Sequence, residues 1–333
     1  MAGEKVNLVN IKKWSDEGKL LIDKCMEWGI LKRVIVCSAC GRDECKMTLR
    51  KCNSETDGYK WYCNNYRSEN KKKRKRCGYS VNLRRGTFFE KSKLPLWKII
   101  GFIYLWTKNV AAKVIIDELG ISNRTVVDWS SFCREVTFDF AVVRKKKIGG
   151  PGRKVQIDES KFGKRKYNRG RAVEGQWVFG GIDELSGEVF MVAVENRSSD
   201  TLIPIIKEYI KPGSTIVSDY WKAYDCLKEE GFEHLKVNHK MNFVDPLSGA
   251  HTNKIEASWG AAKATLPRFH RKKAFFPGYL SKYVFMKSCK LRKVDCFTEF
   301  CKEAGNLYDP AKPKDGETDD TDETDDLDLD DMN

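Results

Sequence analysis

Three carboxylates stand where strand and helix patterns would let them converge. Asp158 lies in Arg153-Lys-Val-Gln-Ile-Asp-Glu-Ser-Lys-Phe-Gly163, where Val155 and Ile157 alternate with Gln156 and Asp158. That period of two is the signature of a strand with one apolar and one polar face. Asp219 ends the run Ser-Thr-Ile-Val-Ser and opens an aromatic stretch, and Glu256 closes His251-Thr-Asn-Lys-Ile-Glu at the start of an expected helix. Three clustered carboxylates can hold two Mg2+ or Mn2+ ions per active site. Two such ions about 4 Å apart serve phosphodiester chemistry, one activating a water and the other stabilising the leaving 3′ oxygen. Each acid also has a plainer reading. Asp219 could cap a following helix, Asn253 and Glu256 have capping-box spacing, and Asp158 could pair with Lys161 or Arg165. Asp183, Glu195, Asp200 and Asp245 are alternative acids at turns or element edges. His239 and His251 flank the site in sequence, with either a phosphate contact or a structural role open to them.

A second constellation is made of thiols. Cys37-Ser-Ala-Cys40-Gly41 is a tight knuckle, followed by Cys63 and then by Cys77-Gly78. Four thiolates would close a tetrahedral structural site for one Zn2+. The Cys63–Cys77 spacing is long for a second knuckle, so Cys45 and Cys52 compete for places, and scattered buried thiols remain the alternative. With no secretory apolar region at the N-terminus, twelve cysteines point to reduced thiols and metal ligands rather than disulfides.

The third constellation is cationic. Lys71-Lys72-Lys73-Arg74-Lys75-Arg76 lies in the Cys63–Cys77 loop and reads as a solvated loop, a phosphate-contacting finger or a nuclear import signal. Lys161, Lys164, Arg165, Lys166, Arg169 and Arg171 follow the first carboxylate and could hold a DNA backbone, or form a solvated hairpin face. The acids of residues 315–333 mask a basic bulk: the whole chain carries +14, but residues 1–314 carry +25. Such a charge points to nucleic acid or another anionic surface. No apolar run reaches a membrane-spanning length, so no membrane is expected.

Elements must bring these groups together. Residues 1–30 read as a helical segment and 31–92 as a zinc ribbon. Residues 93–143 read as a helix-turn-helix: helices from Leu96 to Lys108, from Ala111 to Leu119 and, capped by Ser122, from Asn123 to Val136. Asn123, Arg124, Thr125 and Asp128 would face a major groove, unless the unit is plain helical packing. Residues 144–152, with Arg144-Lys145-Lys-Lys147 and four breakers, read as a basic linker. Residues 153–305 follow the order strand 153–161, strand 175–183, strand 187–195, helix 199–210, strand 214–218, helix 220–230, strand 232–238 and the helix carrying Glu256. That is the order of an RNase H-like α/β sheet flanked by helices, with Asp158 and Asp219 on adjacent central strands. Trp177, Trp221 and Trp259 read as core residues. Residues 268–304 read as helical and basic, and 306–333 as a disordered acidic tail.

Here the residues resemble a known family. Ile157-Asp-Glu-Ser, Asp219-Tyr-Trp-Lys-Ala-Tyr and His251-Thr-Asn-Lys-Ile-Glu-Ala-Ser-Trp are similar to the catalytic segments of Merlin-type DDE transposases and their bacterial insertion-sequence relatives. The 36 residues between Asp219 and Glu256 fit that group's pattern. Arg85-Gly-Thr-Phe-Phe-Glu-Lys-Ser resembles the segment after its zinc ribbon, and Leu119-Gly-Ile-Ser with Val127-Asp-Trp resembles its helix-turn-helix. The resemblance covers residues 31–305. It implies Asp158, Asp219 and Glu256 as catalytic residues, two Mg2+ ions, a homo-oligomer, and double-stranded DNA as partner, both terminal inverted repeats and target. The basic insert before Cys77 and the extra Cys45 and Cys52 depart from the pattern, as does the acidic tail. The expected activity is cleavage at element ends and joining of the 3′-OH to target DNA, in the nucleus for a eukaryotic source and otherwise in the cytoplasm or nucleoid. The alternatives are a domesticated DNA-binding protein without catalysis and an RNase H-like nuclease without strand transfer.

Overall fold

The computed structural model describes residues 5–40, 44–70, 73–163, 175–237, 251–267 and 272–308, the side chains of 67–70 and 73–75 excepted. The chain opens with helices α1 (Leu8–Asp16) and α2 (Leu20–Glu27). The Asn7 side chain caps α1 by accepting from Asn10 N at 2.8 Å. The cysteine-rich region then forms an antiparallel sheet of β1 (Thr48–Lys51), β2 (Tyr59–Tyr62) and β5 (Ser80–Asn82), with a separate hairpin of β3 (Tyr66–Asn70) and β4 (Lys73–Arg76). The basic run expected as a loop is therefore partly a strand: Lys73–Arg76 pairs back on Tyr66–Asn70, while Lys71 and Lys72 lie outside the described residues.

Three helices follow: α3 (Leu96–Thr107), α4 (Ala112–Leu119) and α5 (Asn123–Val143). Gly120 ends α4 at φ +55, a left-handed position that glycine takes without strain. Ser122 starts α5 as expected, its hydroxyl accepting from Thr125 N at 3.1 Å. The helix runs past the expected end at Val136 because its further turns are buried. Thr137 is fully buried and Phe140 meets Phe285 edge-on at 5.0 Å. α5 thereby packs on α8 (Phe276–Arg292) and α9 (Cys296–Leu307), and Phe285, Phe297 and Phe300 share one core with the N-terminal helices.

The remaining segment builds a five-stranded sheet in the order β10 (Glu233–Lys236), β9 (Thr215–Ser218), β6 (Lys154–Phe162), β7 (Gln176–Asp183) and β8 (Val189–Val194). β6, β7 and β8 are antiparallel, and β9 and β10 run parallel to β6. The first and fourth strands of the segment are neighbours at the centre, as expected for an RNase H-like sheet. Odd β6 residues Val155 and Ile157 meet helix α6 (Ser199–Tyr209), whereas Phe162 meets α7 (Asn253–Thr265) and α8 on the other face. The helix expected at 220–230 is instead a 3-10 stretch, Lys222–Lys228. Trp221 is held extended before it and Gly231 takes φ +83 after it, so only short, tight turns fit between.

Candidate active site

The site forms where two parallel strands part. β6 and β9 pair from Lys154 with Thr215 to Gln156 with Val217. Continuing that register by two residues sets Asp158, midway along β6, beside Asp219 at the carboxyl end of β9. In open α/β sheets this is where ligands bind. Asp158 is partly buried and held from two sides: Oδ1 accepts from Glu159 N at 2.8 Å, and Oδ2 from Trp259 Nε1 at 2.9 Å. Burial pushes its carboxyl up to about 6, with the charges of Asp219 and Glu256 adding to the rise. Among the described residues the Glu159 and Trp259 N–H donors, not Lys161, hold it, and Arg165, the other alternative partner, lies outside them. Asp219 Oδ1 accepts from Trp221 N at 3.1 Å, fixing the turn behind the strand.

Glu256 is exposed on the first turn of α7, and its Oε1 accepts from Thr252 Oγ1 at 3.1 Å. The expected capping box does not form, because Asn253 is already the first helical residue and Thr252 precedes it. The cap comes instead from across the fold. Gln156 is fully buried on β6, and its Oε1 accepts from Lys254 N at 3.0 Å and Ile255 N at 3.1 Å. Its Nε2 donates to Glu184 Oε1 at 2.8 Å and lies 3.0 Å from His251 Nδ1. One glutamine, two residues before Asp158, thus sets the helix that carries Glu256. Sequence reading passed over it as a strand residue; its only signal was a polar side chain between Val155 and Ile157.

A fourth carboxylate was also missed. Glu159 points to the opposite face of β6, with its side chain 4% exposed, 3.8 Å from the Arg197 guanidinium. Among the described residues its Oε1 has no hydrogen-bond partner, and burial, then the charges of Asp158 and Asp219, push it up to about 8. Arg197 in turn lies between two indoles, 4.1 Å from the Trp177 ring and 4.4 Å from that of Trp221. Trp221 is therefore not a core residue: it is 38% exposed and donates from Nε1 to Arg197 O. Trp259 is buried as expected, and Trp177 half-buried. Asp183 is no simple turn residue. It is 1% exposed, takes both its contacts to Arg153 at 2.7 and 2.8 Å, and accepts from the N–H groups of Gly149, Leu185 and Ser186.

Five cysteine sulfurs gather beside β2 and β5. Those of Cys37, Cys40 and Cys63 all lie within 4.8 Å of one another; among the described residues no other group of three His, Cys, Asp or Glu ligands is so close. Cys77 Sγ stands 3.9 Å from Cys37 Sγ, and Cys45 Sγ 3.5 Å from Cys63 Sγ. With zinc–sulfur bonds of about 2.3 Å, a tetrahedral site has sulfur–sulfur edges of about 3.8 Å. The thiol set therefore suits zinc, and both Cys77 and Cys45 are in reach of it. Cys52 is bound up elsewhere, its sulfur 3.3 Å from Ser54 Oγ.

Of the residues expected on DNA, Asn123, Arg124 and Arg76 are exposed beside their elements, Thr125 is half-buried, and Lys161 is exposed with its ammonium over Trp177. Arg144 and Lys145 are already engaged within the chain, by Glu303 and Glu208 respectively. Lys164, Arg165, Lys166, Arg169, Arg171, His239 and Asp245 lie outside the described residues, as does the acidic tail from 309 onward.

Residues 148–288 match the family model of the ISXO2-like transposase domain. An uncharacterized transposase-like protein of Haemophilus influenzae is 36% identical over 83 residues, covering 25% of this chain and 66% of that protein. Male abnormal protein mab-31 of Caenorhabditis elegans is 25% identical over 214 residues, covering 60% of this chain and 48% of that protein. The chain thus spans about two thirds of one of these relatives and about half of the other. Both the domain match and the bacterial relative are thus similarities of part of the chain to transposase-like proteins. Two solved structures overlap it in part. The magnesium-bound HTLV-2 integrase catalytic core is 12% identical with a TM-score of 0.26, covering 42% of this chain and 86% of that one. A simian T-cell lymphotropic virus intasome chain, solved with the PP2A regulatory subunit B56 gamma, is 15% identical with a TM-score of 0.27, covering 54% and 66%. Among the described residues no helix is long and apolar enough to cross a membrane.

Proposed function

We propose that the chain is a DDE transposase of the Merlin type. It binds terminal inverted repeats as a homo-oligomer, cuts phosphodiester bonds at the element ends and joins the freed 3′-OH to target DNA. The observation that carries this reading is the register that sets Asp158 beside Asp219, with Gln156 presenting Glu256 from α7. These three carboxylates would hold a pair of Mg2+ or Mn2+ ions. The fit rests on the donor set: three hard carboxylates, of which Asp158 is raised first by burial and then by the charges of Asp219 and Glu256, a repulsion that bound divalent cations would relieve. When bound, such ions supply a lowered pKa for the attacking water and stabilise the leaving oxygen.

The chain's own residues do the rest. Trp259 and the Glu159 N–H fix the rotation of the Asp158 carboxylate, and the Trp221 N–H fixes that of Asp219. Thr252 orients Glu256. Positioning of this kind is worth several kcal/mol in a rate, since a displacement of about 1 Å can cost about a hundredfold. Lys161, Lys164, Arg165, Lys166, Arg169 and Arg171 follow β6 in sequence and would neutralise DNA phosphates; the 71–76 run, Asn123, Arg124 and Thr125 would add contacts from the N-terminal half. One Zn2+ on Cys37, Cys40, Cys63 and Cys77 would brace the ribbon. The retention of three acids whose charges act on one another weighs against a domesticated, inactive descendant. In a eukaryotic cell the substrate would be met in the nucleus, with the basic run 71–76 as import signal.

The test is nicking of an oligonucleotide bearing the element's terminal repeat. Asp158→Asn, Asp219→Asn and Glu256→Gln should each lower cleavage by orders of magnitude while DNA binding holds or tightens, because each amide keeps an acceptor but loses the charge. Near-normal cleavage by one variant removes that residue from the site, and full activity in EDTA ends the metal mechanism. Joined product on a target plasmid separates a transposase from a plain nuclease.

A further inference from the structure

The free edge of β8 borders an open apolar groove. Among the described residues β8 pairs with β7 alone. Asp183 N donates to Glu188 O, so by antiparallel alternation Val189, Met191 and Ala193 turn their N–H and C=O groups to the unpaired side. There a cavity of about 370 Å3 opens between β8, the last turns of α5 and the face of α8. Its apolar lining includes Phe138, Val142 and Leu291, all strongly exposed for their type. An uncovered edge with large apolar side chains around it is a surface built to be covered.

The rim says what kind of partner covers it. Arg144, Lys145, Lys146, Lys287 and Arg292 line the groove, against the single acid Glu188. Arg144, Lys145 and Arg292 are paired with Glu303, Glu208 and Glu299. Lys146 and Lys287 have no carboxylate within 4 Å among the described residues, and Lys287 is held below its usual value by burial and then by Lys290 and Lys254. The occupant must therefore be extended, apolar on one side and acidic on the other. DNA has the charge but not the apolar face.

This chain contains such a segment. Asp326-Leu327-Asp-Leu329-Asp330 alternates acid and leucine with the period of a strand, inside a stretch of residues 315–333 that holds eleven acids and no base. The 17 residues from 309 to 325 separate it from Tyr308, the residue after α9. At ~3.3 Å per residue they reach up to about 55 Å. The start of that span is nearby, because Glu299 and Glu303 of α9 bind Arg292 and Arg144 at the groove's own rim.

We propose that Asp326–Asp330 docks in its own chain as a sixth strand on β8, with Leu327 and Leu329 on the groove floor and the aspartates at the basic rim. The main-chain bonds supply the pairing and the alternating side chains the specificity, as in other strand-addition contacts. Hydrogen exchange on the full chain tests this. In low salt the amides of Val189, Met191 and Ala193 should exchange at least tenfold more slowly in the native chain than in Leu327→Asp/Leu329→Asp. Lys146→Glu/Lys287→Glu, altered on the groove side, should release the same three amides. Equal exchange in the native chain and both variants overturns the proposal. So does protection that survives Leu327→Asp/Leu329→Asp, which would mean charge attraction without a strand. Protection that grows with protein concentration overturns the intramolecular pairing in favour of a second copy. None of these readouts depends on the chain being a transposase.

Discussion

Replacing Gln156 by leucine isolates the link between the sheet and the helix that carries Glu256. The side chains are similar in size, so the packing against fully buried Ile255 should survive. What is lost is specific: two acceptor contacts to Lys254 N and Ile255 N, and the donated bond to Glu184. Removing a helix cap costs about 0.5–2 kcal/mol. The Ile255 N–H sits in a buried residue and would lose its partner there, at about 1–3 kcal/mol. Lys254 is exposed, so water can replace the glutamine at its N–H and most of that second loss is recovered. The expected destabilisation is about 2–4 kcal/mol, read as a shift of the urea midpoint at unchanged slope. The rate should fall as well, because the first turn of α7 is no longer pinned two residues from Asp158. A shift of about 1 Å in Glu256 would cost about a hundredfold in single-turnover cleavage. Gln156→Glu keeps the acceptor for the two N–H groups but sets a carboxylate against Glu184, so it should fall between the two. The reasoning fails if Gln156→Leu loses less than about 0.5 kcal/mol. It fails differently if stability drops but the folded variant cleaves at the native rate, since Gln156 would then be structural without positioning Glu256.

Other perturbations follow from single observations. Cys63→Ser should lose stoichiometric zinc from the purified chain while Cys52→Ser keeps it; the reverse pattern would reassign the ligand set. Asp183→Asn keeps one acceptor oxygen, enough for Leu185 N and Ser186 N, but removes the charge opposite Arg153 and the second oxygen that serves Gly149 N, so it should cost about 2–4 kcal/mol in urea unfolding. That cost makes Asp200, which is exposed, the better control carboxylate for activity. His234 is held down to about 4, chiefly by burial, beside Ser218 Oγ at 2.8 Å. Its folded value lies below its usual one, so the unfolded chain binds the extra proton first as pH falls from 6.5 toward 4. Stability should decline across that window by about 1–2 kcal/mol after allowance for partial exposure. His234→Phe should flatten the decline, and an unchanged profile would clear the histidine.

The sheet was legible because its signals are local. Val155 and Ile157 alternate with polar neighbours, Asp183-Glu-Leu-Ser-Gly187 has hairpin length, and the strand–helix order fixes which strands lie side by side. The expected 220–230 helix failed on its ends, where the extended Trp221 and the left-handed Gly231 leave too little room to propagate. The length of α5 was illegible for a different reason. Nothing local ends a helix at Val136 or at Val143; what extends it is burial of Thr137 and Phe140 against α8, more than a hundred residues on.

The same distinction explains the residues that were passed over. Gln156 and Glu159 flank Ile157 and Asp158, and their types alone say nothing about role. Gln156 matters because α7 begins above it, and Glu159 because Arg197 lies on the same face of the sheet. Arg197 joins that acid to the turn holding Asp219: it is packed between Trp177 and Trp221, and Trp221 N is the donor to Asp219. The two faces of one strand therefore supply the supports for two different carboxylates. Gln156 on one face orders the helix of Glu256, and Glu159 on the other stands 3.8 Å from the arginine behind the turn of Asp219. A motif reading singles out three acids because the proposed chemistry fixes their type. It cannot find their supports, because any residue that reaches the right N–H or guanidinium will serve.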